Sequence, residues 1–250
     1  MKKLFVVLIP LLLGTISQAL NRSKQADTMQ NREINKHIQF WAGQFKEHAE
    51  FCSDFTPDPL LKAQGLKIAK QFKEFVRNSN DNPDRAEKFL QLSRNQKAYQ
   101  DQVYSSIKKA PLKNENGKLD KKIKLDLVDH MNKENAYAQD KARGKKYTAT
   151  QEAKFWSEEH EGQAKTMASL MTPKAGKLET EAKDVASSLK LNKWVGTENT
   201  IKQANQELDK IGDALAADHE KSKVPAMLAE HEKRERNYAK EIFQRLDQAK

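Results

Sequence analysis

Apolar residues recur at spacings of three and four along most of this chain, with lysines, glutamates and glutamines between them. This periodicity is typical of amphipathic helices, because residues three and four apart lie on one helical face. Only 9 glycines and 7 prolines interrupt the 250 residues. We find no convincing alternating run of Val, Ile and Thr beyond the N-terminal segment. The sequence therefore predicts an all-α fold.

Helix-breaking residues divide the pattern into two sets of four helices. The first set is predicted at approximately residues 29–53, 59–77, 83–109 and 119–142, and the second at 148–170, 174–190, 197–221 and 225–248. Amphipathic helices joined by short loops favour two tandem antiparallel four-helix bundles. One extended coiled coil is the alternative, against which the prolines and the short helices argue.

Several residues recur in the same order in the two sets. Phe40-Trp41 reappears as Phe155-Trp156, and His130-x-x-x-Glu134-x-x-Tyr137-Ala138 reappears as His231-x-x-x-Glu235-x-x-Tyr238-Ala239. A match of this length on one helix, with an aromatic pair in the right order, indicates an internal duplication. We expect the first bundle to cover residues 20–146 and the second to cover residues 147–250.

The first nineteen residues are typical of a secretory signal peptide. Lys2 and Lys3 precede the apolar run 4–13, and Ser17-Gln18-Ala19 offers a small-x-small cleavage site. A transmembrane anchor is the alternative, but it needs about 20 apolar residues and this run is shorter. We expect cleavage after Ala19, a secreted or periplasmic protein, and no stable membrane insertion afterwards.

The formal net charge of +10 does not predict nucleic-acid binding. The lysines of the chain are scattered among acidic residues, and no compact basic block carries interleaved aromatic residues. The only cysteine, Cys52, continues an apolar helix face, so we expect a buried thiol and no internal disulfide. No protein partner can be named from the sequence.

Histidines and glutamates stand where the first and last helices of each set should bury apolar side chains. His130 and Glu134 lie one turn apart and share a face, as do His231 and Glu235. His48 lies two turns after Trp41 on the first helix. We predict a site for one divalent transition metal ion (Fe, Mn or Zn) formed by His48, His130 and Glu134. A second, weaker set consists of Glu159, His231 and Glu235.

The order Phe40-Trp41, His48 and Asp129-His130-x-x-x-Glu134 resembles a bacterial family of unknown function built from two tandem ferritin-like four-helix bundles. The resemblance covers nearly all of the chain after residue 19 and implies a metal site within a bundle, without implying an activity. Two positions depart from the family's pattern. His37 stands where the family has an acid, and Gln163 stands where it has a histidine.

Other interpretations compete with a metal site. The Glu-x-x-His spacing of dinuclear carboxylate proteins is missing, so the sequence does not predict a dinuclear site. The polar residues could instead form a buried hydrogen-bond network that specifies helix packing. A cofactor-independent enzyme with Glu134 or Glu235 as base lacks a recognisable nucleophile, and we predict no catalytic residue. Trp41 and Trp156 are predicted core residues, and His160 and His219 are predicted surface residues.

Overall fold

A computed structural model describes residues 8–78, 84–111, 121–170, 206–213 and 223–248, together with 180, 181, 183–185 and 187. All regular structure among these residues is helical, which confirms the predicted all-α class. The helices are α1 (Leu8–Phe55), α2 (Pro59–Arg77), α3 (Arg85–Lys109), α4 (Lys121–Ala142), α5 (Ala149–Leu170) and α6 (Lys223–Gln248). A further helical segment covers residues 206–213.

Local sequence explains where these helices begin. The carboxylate of Asp58 accepts hydrogen bonds from the backbone N–H groups of Leu60 and Leu61, and Pro59 occupies the first turn of α2. Both features favour a helix start, because an N-cap carboxylate satisfies free N–H groups and proline has none to satisfy. Between α4 and α5, Gly144 adopts a positive φ of 82°, which a residue with a side chain would rarely adopt.

Four of the described helices form a closed ring of contacts. Helix α1 contacts α4 and α6, and α5 contacts the same two helices. Helices α2 and α3 pack against α1, and α3 also packs against α4. One buried apolar cluster extends from α1, α2, α3 and α4 into α5 and α6, with Trp41, Phe72, Phe89, Trp156 and Tyr238 among its members.

Aromatic contacts join the two halves of the chain in matching pairs. The rings of Phe40 and Tyr238 stack at 3.9 Å with an interplanar angle of 9°, and those of Phe155 and Tyr137 stack at the same distance and angle. Trp41 and Trp156 lie between these pairs, with ring centroids 6.4 Å apart. Each stacked pair therefore connects a helix of the first half with a helix of the second.

Several predictions can be compared directly with these helices. The prediction of 59–77 agrees with α2, and those for α3 to α6 agree within two residues. Trp41, Trp156 and Cys52 are buried, as predicted. The predicted start of the first helix at residue 29 is wrong, because α1 begins at Leu8 and no proline or glycine interrupts residues 15–42. The predictions of 174–190 and 197–221 lie largely outside the described residues.

The predicted surface position of His160 is also wrong. Its neighbours Glu158, Glu159 and Glu161 suggested a surface position, but its side chain is fully buried, and its ring lies 6.0 Å from that of Trp156. Charged neighbours in sequence do not define a surface when the helix is enclosed on several sides. His219 lies outside the described residues.

Within the described part of the chain, none of the helices combines the length and the apolar character that a membrane crossing requires.

Candidate metal centre

Helices α1, α4, α5 and α6 each direct polar side chains into the centre of the ring. An i,i+4 spacing places both members of a pair on one face, and this applies to His130 with Glu134 on α4 and to His231 with Glu235 on α6. Helix α1 adds His48, and α5 adds Glu159. All six are buried except His130, whose side chain retains 18% exposure. Desolvated groups of this kind need compensating partners.

Four of these residues converge on one point. The Nε2 atom of His48 lies 3.1 Å from Nε2 of His231 and 3.2 Å from Oε2 of Glu134. Nε2 of His231 lies 3.1 Å from Oε1 of Glu235. One donor atom from each of the four lies within 4.8 Å of the others. Donors bound to one ion at about 2.0–2.2 Å lie roughly 3.0–3.5 Å apart, so the observed distances match those of a metal's ligands.

The angles at Glu134 support the same interpretation. Both of its oxygens lie 3.1–3.2 Å from histidine nitrogens without the alignment of a well-directed hydrogen bond. A carboxylate that served only to pair with histidine would accept well-directed N–H bonds. Donors that surround an ion point towards that ion rather than towards one another. The carboxylate of Glu134 is therefore placed as a metal ligand would be.

His130, Glu134 and Glu159 form a second group that overlaps the first. Nε2 of His130 lies 3.1 Å from Oε1 of Glu134, and its Nδ1 lies 3.0 Å from Oε2 of Glu159. One donor atom of each of the three lies within 4.8 Å of the others. Gly162 makes this arrangement possible, because a Cβ atom there would lie 3.1 Å from Nδ1 of His130. Glu134 belongs to both groups.

Neighbouring side chains orient the α6 donors. Nδ1 of His231 is hydrogen bonded to Glu47 over 2.9 Å, so its Nε2 faces the cluster. The amide groups of Gln44 and Gln163 donate to the two oxygens of Glu235, at 3.2 and 2.9 Å. A carboxylate on the far nitrogen of a histidine is a common outer partner in metal sites, because it fixes the tautomer and the ring orientation.

Charges within the cluster perturb its acids and bases. Burial acts to lower the pKa of His231, but Glu235 and Glu47 outweigh it and raise that pKa to about 10. Burial likewise opposes protonation of His130, whereas Glu159 and Glu134 hold its pKa well above its usual value. Burial, together with the charge on Glu134, raises the pKa of Glu235. In the metal-free protein, bound protons therefore supply the positive charge that a metal ion could supply.

The structure brings together all six residues that the sequence predicted as ligands. It places α1 beside α4, which the predicted site requires. The grouping differs from the predicted one: His48 lies with His231 and Glu235 of the second half, and His130 lies with Glu159. Both groupings are assigned from the positions of the side chains alone, so the ligand sets stay predictions.

Sequence reasoning missed Glu47, the hydrogen-bonding partner of His231. Burial acts to raise the pKa of Glu47, but His231 and Arg234 together lower it to about 2, so the residue is ionised beside the cluster. Nothing on α1 alone marks Glu47, because its partners lie on α6. The only signal was its position next to His48.

Comparison with protein-family models, with curated proteins and with solved structures finds no match for this chain. The resemblance to a tandem ferritin-like family therefore stays a prediction, and the geometry of the cluster carries the functional argument.

Proposed function

We propose that this protein binds a divalent transition metal ion through His48, Glu134, His231 and Glu235. The observation that carries the proposal is the convergence of these four donors, whose neighbouring atoms lie 3.1–3.2 Å apart in the buried centre of the helix ring. Imidazole nitrogens and carboxylate oxygens suit iron, manganese and zinc, which are the candidate ions. Storage, sensing and redox chemistry are all compatible with such a site.

The proposal also states where the protein is located and how its two sets of helices arose. Residues 1–19 would act as a cleaved signal peptide, so that the metal is bound in the periplasm or outside the cell. The chain after residue 19 would derive from a duplicated four-helix, ferritin-like unit. The matching stacks of Phe40 on Tyr238 and of Phe155 on Tyr137 support the duplication, because equivalent residues make the same contact.

A structural role is the second candidate. In this interpretation the cluster is a hydrogen-bond network that specifies how the helices pack, and it binds no metal. The observation in its favour is that Gln44 and Gln163 donate to the two oxygens of Glu235, and that Glu47 pairs with His231. Such a network would stabilise one arrangement of α1, α5 and α6.

Metal titration of the full chain, purified without an affinity tag or chelator, separates the two functions. We expect Zn²⁺, Mn²⁺ or Fe²⁺ to bind, and Glu235→Gln to weaken binding by about 100-fold because an amide is a poor substitute for a carboxylate ligand. His37→Gln is the matched control, since His37 is a buried histidine whose partner is Tyr238, outside the cluster. Its affinity should stay within about threefold of the wild type.

The outcome that would contradict a metal function is equally specific. If the wild type takes up none of the three ions, the cluster is a packing network. If Glu235→Gln and His37→Gln bind the ion equally well while circular dichroism shows that both variants are folded, the proposed ligand set is wrong and the ion is bound elsewhere.

A further inference from the structure

A cavity with a volume of about 600 Å³ lies where α1, α4 and α6 meet the segment between α4 and α5. His37 of α1 lines this cavity and precedes His48 by about three helical turns, or about 16 Å. None of the described residues that line the cavity belongs to either metal-binding group. Pockets for small organic molecules have volumes of about 300–1,000 Å³, so a molecule of this kind would fit.

Apolar groups form much of the cavity wall. They are the side chains of Ile34 and Ile242 and the rings of Tyr147 and Tyr238. The ring of Tyr238 is held in place by its stack on Phe40, and its hydroxyl by the hydrogen bond to His37. This part of the wall therefore exists before a ligand binds, and the release of water from it favours an apolar ligand group.

The charged residues that line the cavity carry an excess of positive charge. The cations are Lys141, Lys145, Lys146 and Arg245, and the acids are Glu33 and Glu152. Lys141 forms an ion pair with Glu152, and Arg245 forms one with Glu33. The two acids of the lining are therefore both used, and two lysines remain.

The uncompensated positive charge lies on the segment between α4 and α5. Nζ of Lys145 lies 2.5 Å from a carboxylate oxygen of Asp140, outside the lining. Lys146 is exposed and forms no ion pair with another described residue. An anion can therefore approach Lys146 without displacing an existing partner, which favours a negatively charged ligand.

We propose that this cavity binds a small organic carboxylate, with its apolar body against Ile34 and Tyr238 and its carboxylate beside Lys146. The orientation follows from Glu152, which lines the cavity and is 1% exposed. The carboxylate of Glu152 already accepts a hydrogen bond of 2.6 Å from Tyr137, and it would repel a second carboxylate placed beside it. The proposal does not depend on the proposed metal function.

Isothermal titration calorimetry of the full, metal-free chain with decanoate tests the proposal. We expect one decanoate to bind per chain. Decyltrimethylammonium has an alkyl chain of the same length and the opposite charge, and it should bind at least about tenfold more weakly because it meets the positive excess. Acetate lacks the apolar body and should produce no binding heat.

Two variants locate the bound molecule. Ile34→Gln should weaken decanoate binding by about tenfold, because an amide replaces part of the apolar wall. Lys146→Gln should weaken it by about threefold to fivefold, the effect expected of an exposed ion pair. Lys70→Gln is the matched control, since it makes the same change in net charge on α2, where Lys70 lies 3.9 Å from Glu74. Its affinity should stay within about 1.5-fold of the wild type.

Three outcomes would overturn the proposal. The first is no binding of decanoate to the wild type at about 1 mM. The second is equal affinity for decanoate and decyltrimethylammonium, which would show that the positive charge does not select the ligand. The third is an unchanged decanoate affinity in both Ile34→Gln and Lys146→Gln, with both folded by circular dichroism, which would place the bound molecule elsewhere. The proposed metal function would be unaffected by any of them.

Discussion

His37 is a buried histidine that is neutral at ordinary pH. Its Nδ1 shares a hydrogen bond of 2.6 Å with the hydroxyl of Tyr238. Burial and then the positive charge of Lys141 lower its pKa to about 3, although the carbonyl of Ala138 opposes this shift. A charged imidazolium here would be desolvated and would lie near another cation. The folded protein therefore excludes a proton that the unfolded chain would bind.

This exclusion predicts how stability depends on pH. The folded pKa lies below the unfolded value of 6.5, so His37 reduces the free energy of unfolding as the pH falls from about 6.5 towards 3. The loss is at most about 1.4 kcal/mol per pH unit. His37→Gln cannot be protonated and should show a flatter profile. Urea unfolding of the metal-free wild type and variant at pH 7, 6 and 5 measures the difference, and parallel profiles would contradict the assignment.

The single residues also show where sequence reasoning stops. Periodicity correctly indicated that His48, Glu134 and Glu235 lie on buried faces. It could not indicate that His48 meets His231, because a helical pattern says which face is buried and nothing about the helix opposite. His160 was assigned to the surface because its own neighbours in sequence are charged, and those neighbours do not show that other helices cover it.

At the scale of helices, the sequence was most informative where capping residues stand. Asp58 and Pro59 define the start of α2, and the prediction agrees with the structure there. The start of α1 had no such marker, and the predicted position was wrong. Helix existence and type therefore followed from composition and spacing, and the other boundaries followed within two residues where prolines, glycines or capping residues mark a break, which the start of α1 does not have.

Packing of α2 provides a test at this scale. A Cβ atom at Gly65 would lie 2.8 Å from Cζ of Tyr99 and 2.9 Å from the carbonyl oxygen of Ala49, and Tyr99 is fully buried. We expect Gly65→Ala to lower the free energy of unfolding by up to about 2 kcal/mol, because α2 must move away from α1 and α3 at a cost of about 1–3 kcal/mol. The gain in helix propensity of about 1 kcal/mol offsets only part of this cost.

Gly43 is the matched control on α1. A Cβ atom there would meet nothing within 4 Å, so Gly43→Ala should raise the free energy of unfolding by up to about 1 kcal/mol. Chemical denaturation of both variants measures the two effects. If both substitutions change the free energy of unfolding in the same direction, the close packing of α2 at Gly65 does not determine the effect of Gly65→Ala.

At the scale of the whole molecule, the cluster exists because the two halves pack together. His48 and Glu134 come from the first half, and His231 and Glu235 come from the second. The repeat indicated that both halves contain related helices, but it predicted one site in each half. Side chains from the two halves can only combine when the halves face each other, and this relation is a property of the assembled fold.

The same packing predicts how the chain behaves after it is cut between its halves. Lys145 and Lys146 are exposed in the non-helical segment between α4 and α5, where a specific protease site can be inserted with little effect on buried residues. The aromatic stacks and the shared apolar cluster connect the two sides. We therefore expect the cleaved fragments to elute together from a size-exclusion column at the position of the intact chain.

Complete separation of the two fragments in 6 M urea is the control, because it shows that the chain has been cleaved. Two peaks under native conditions would show that each half is an independent bundle, and a site made from both halves could then not persist.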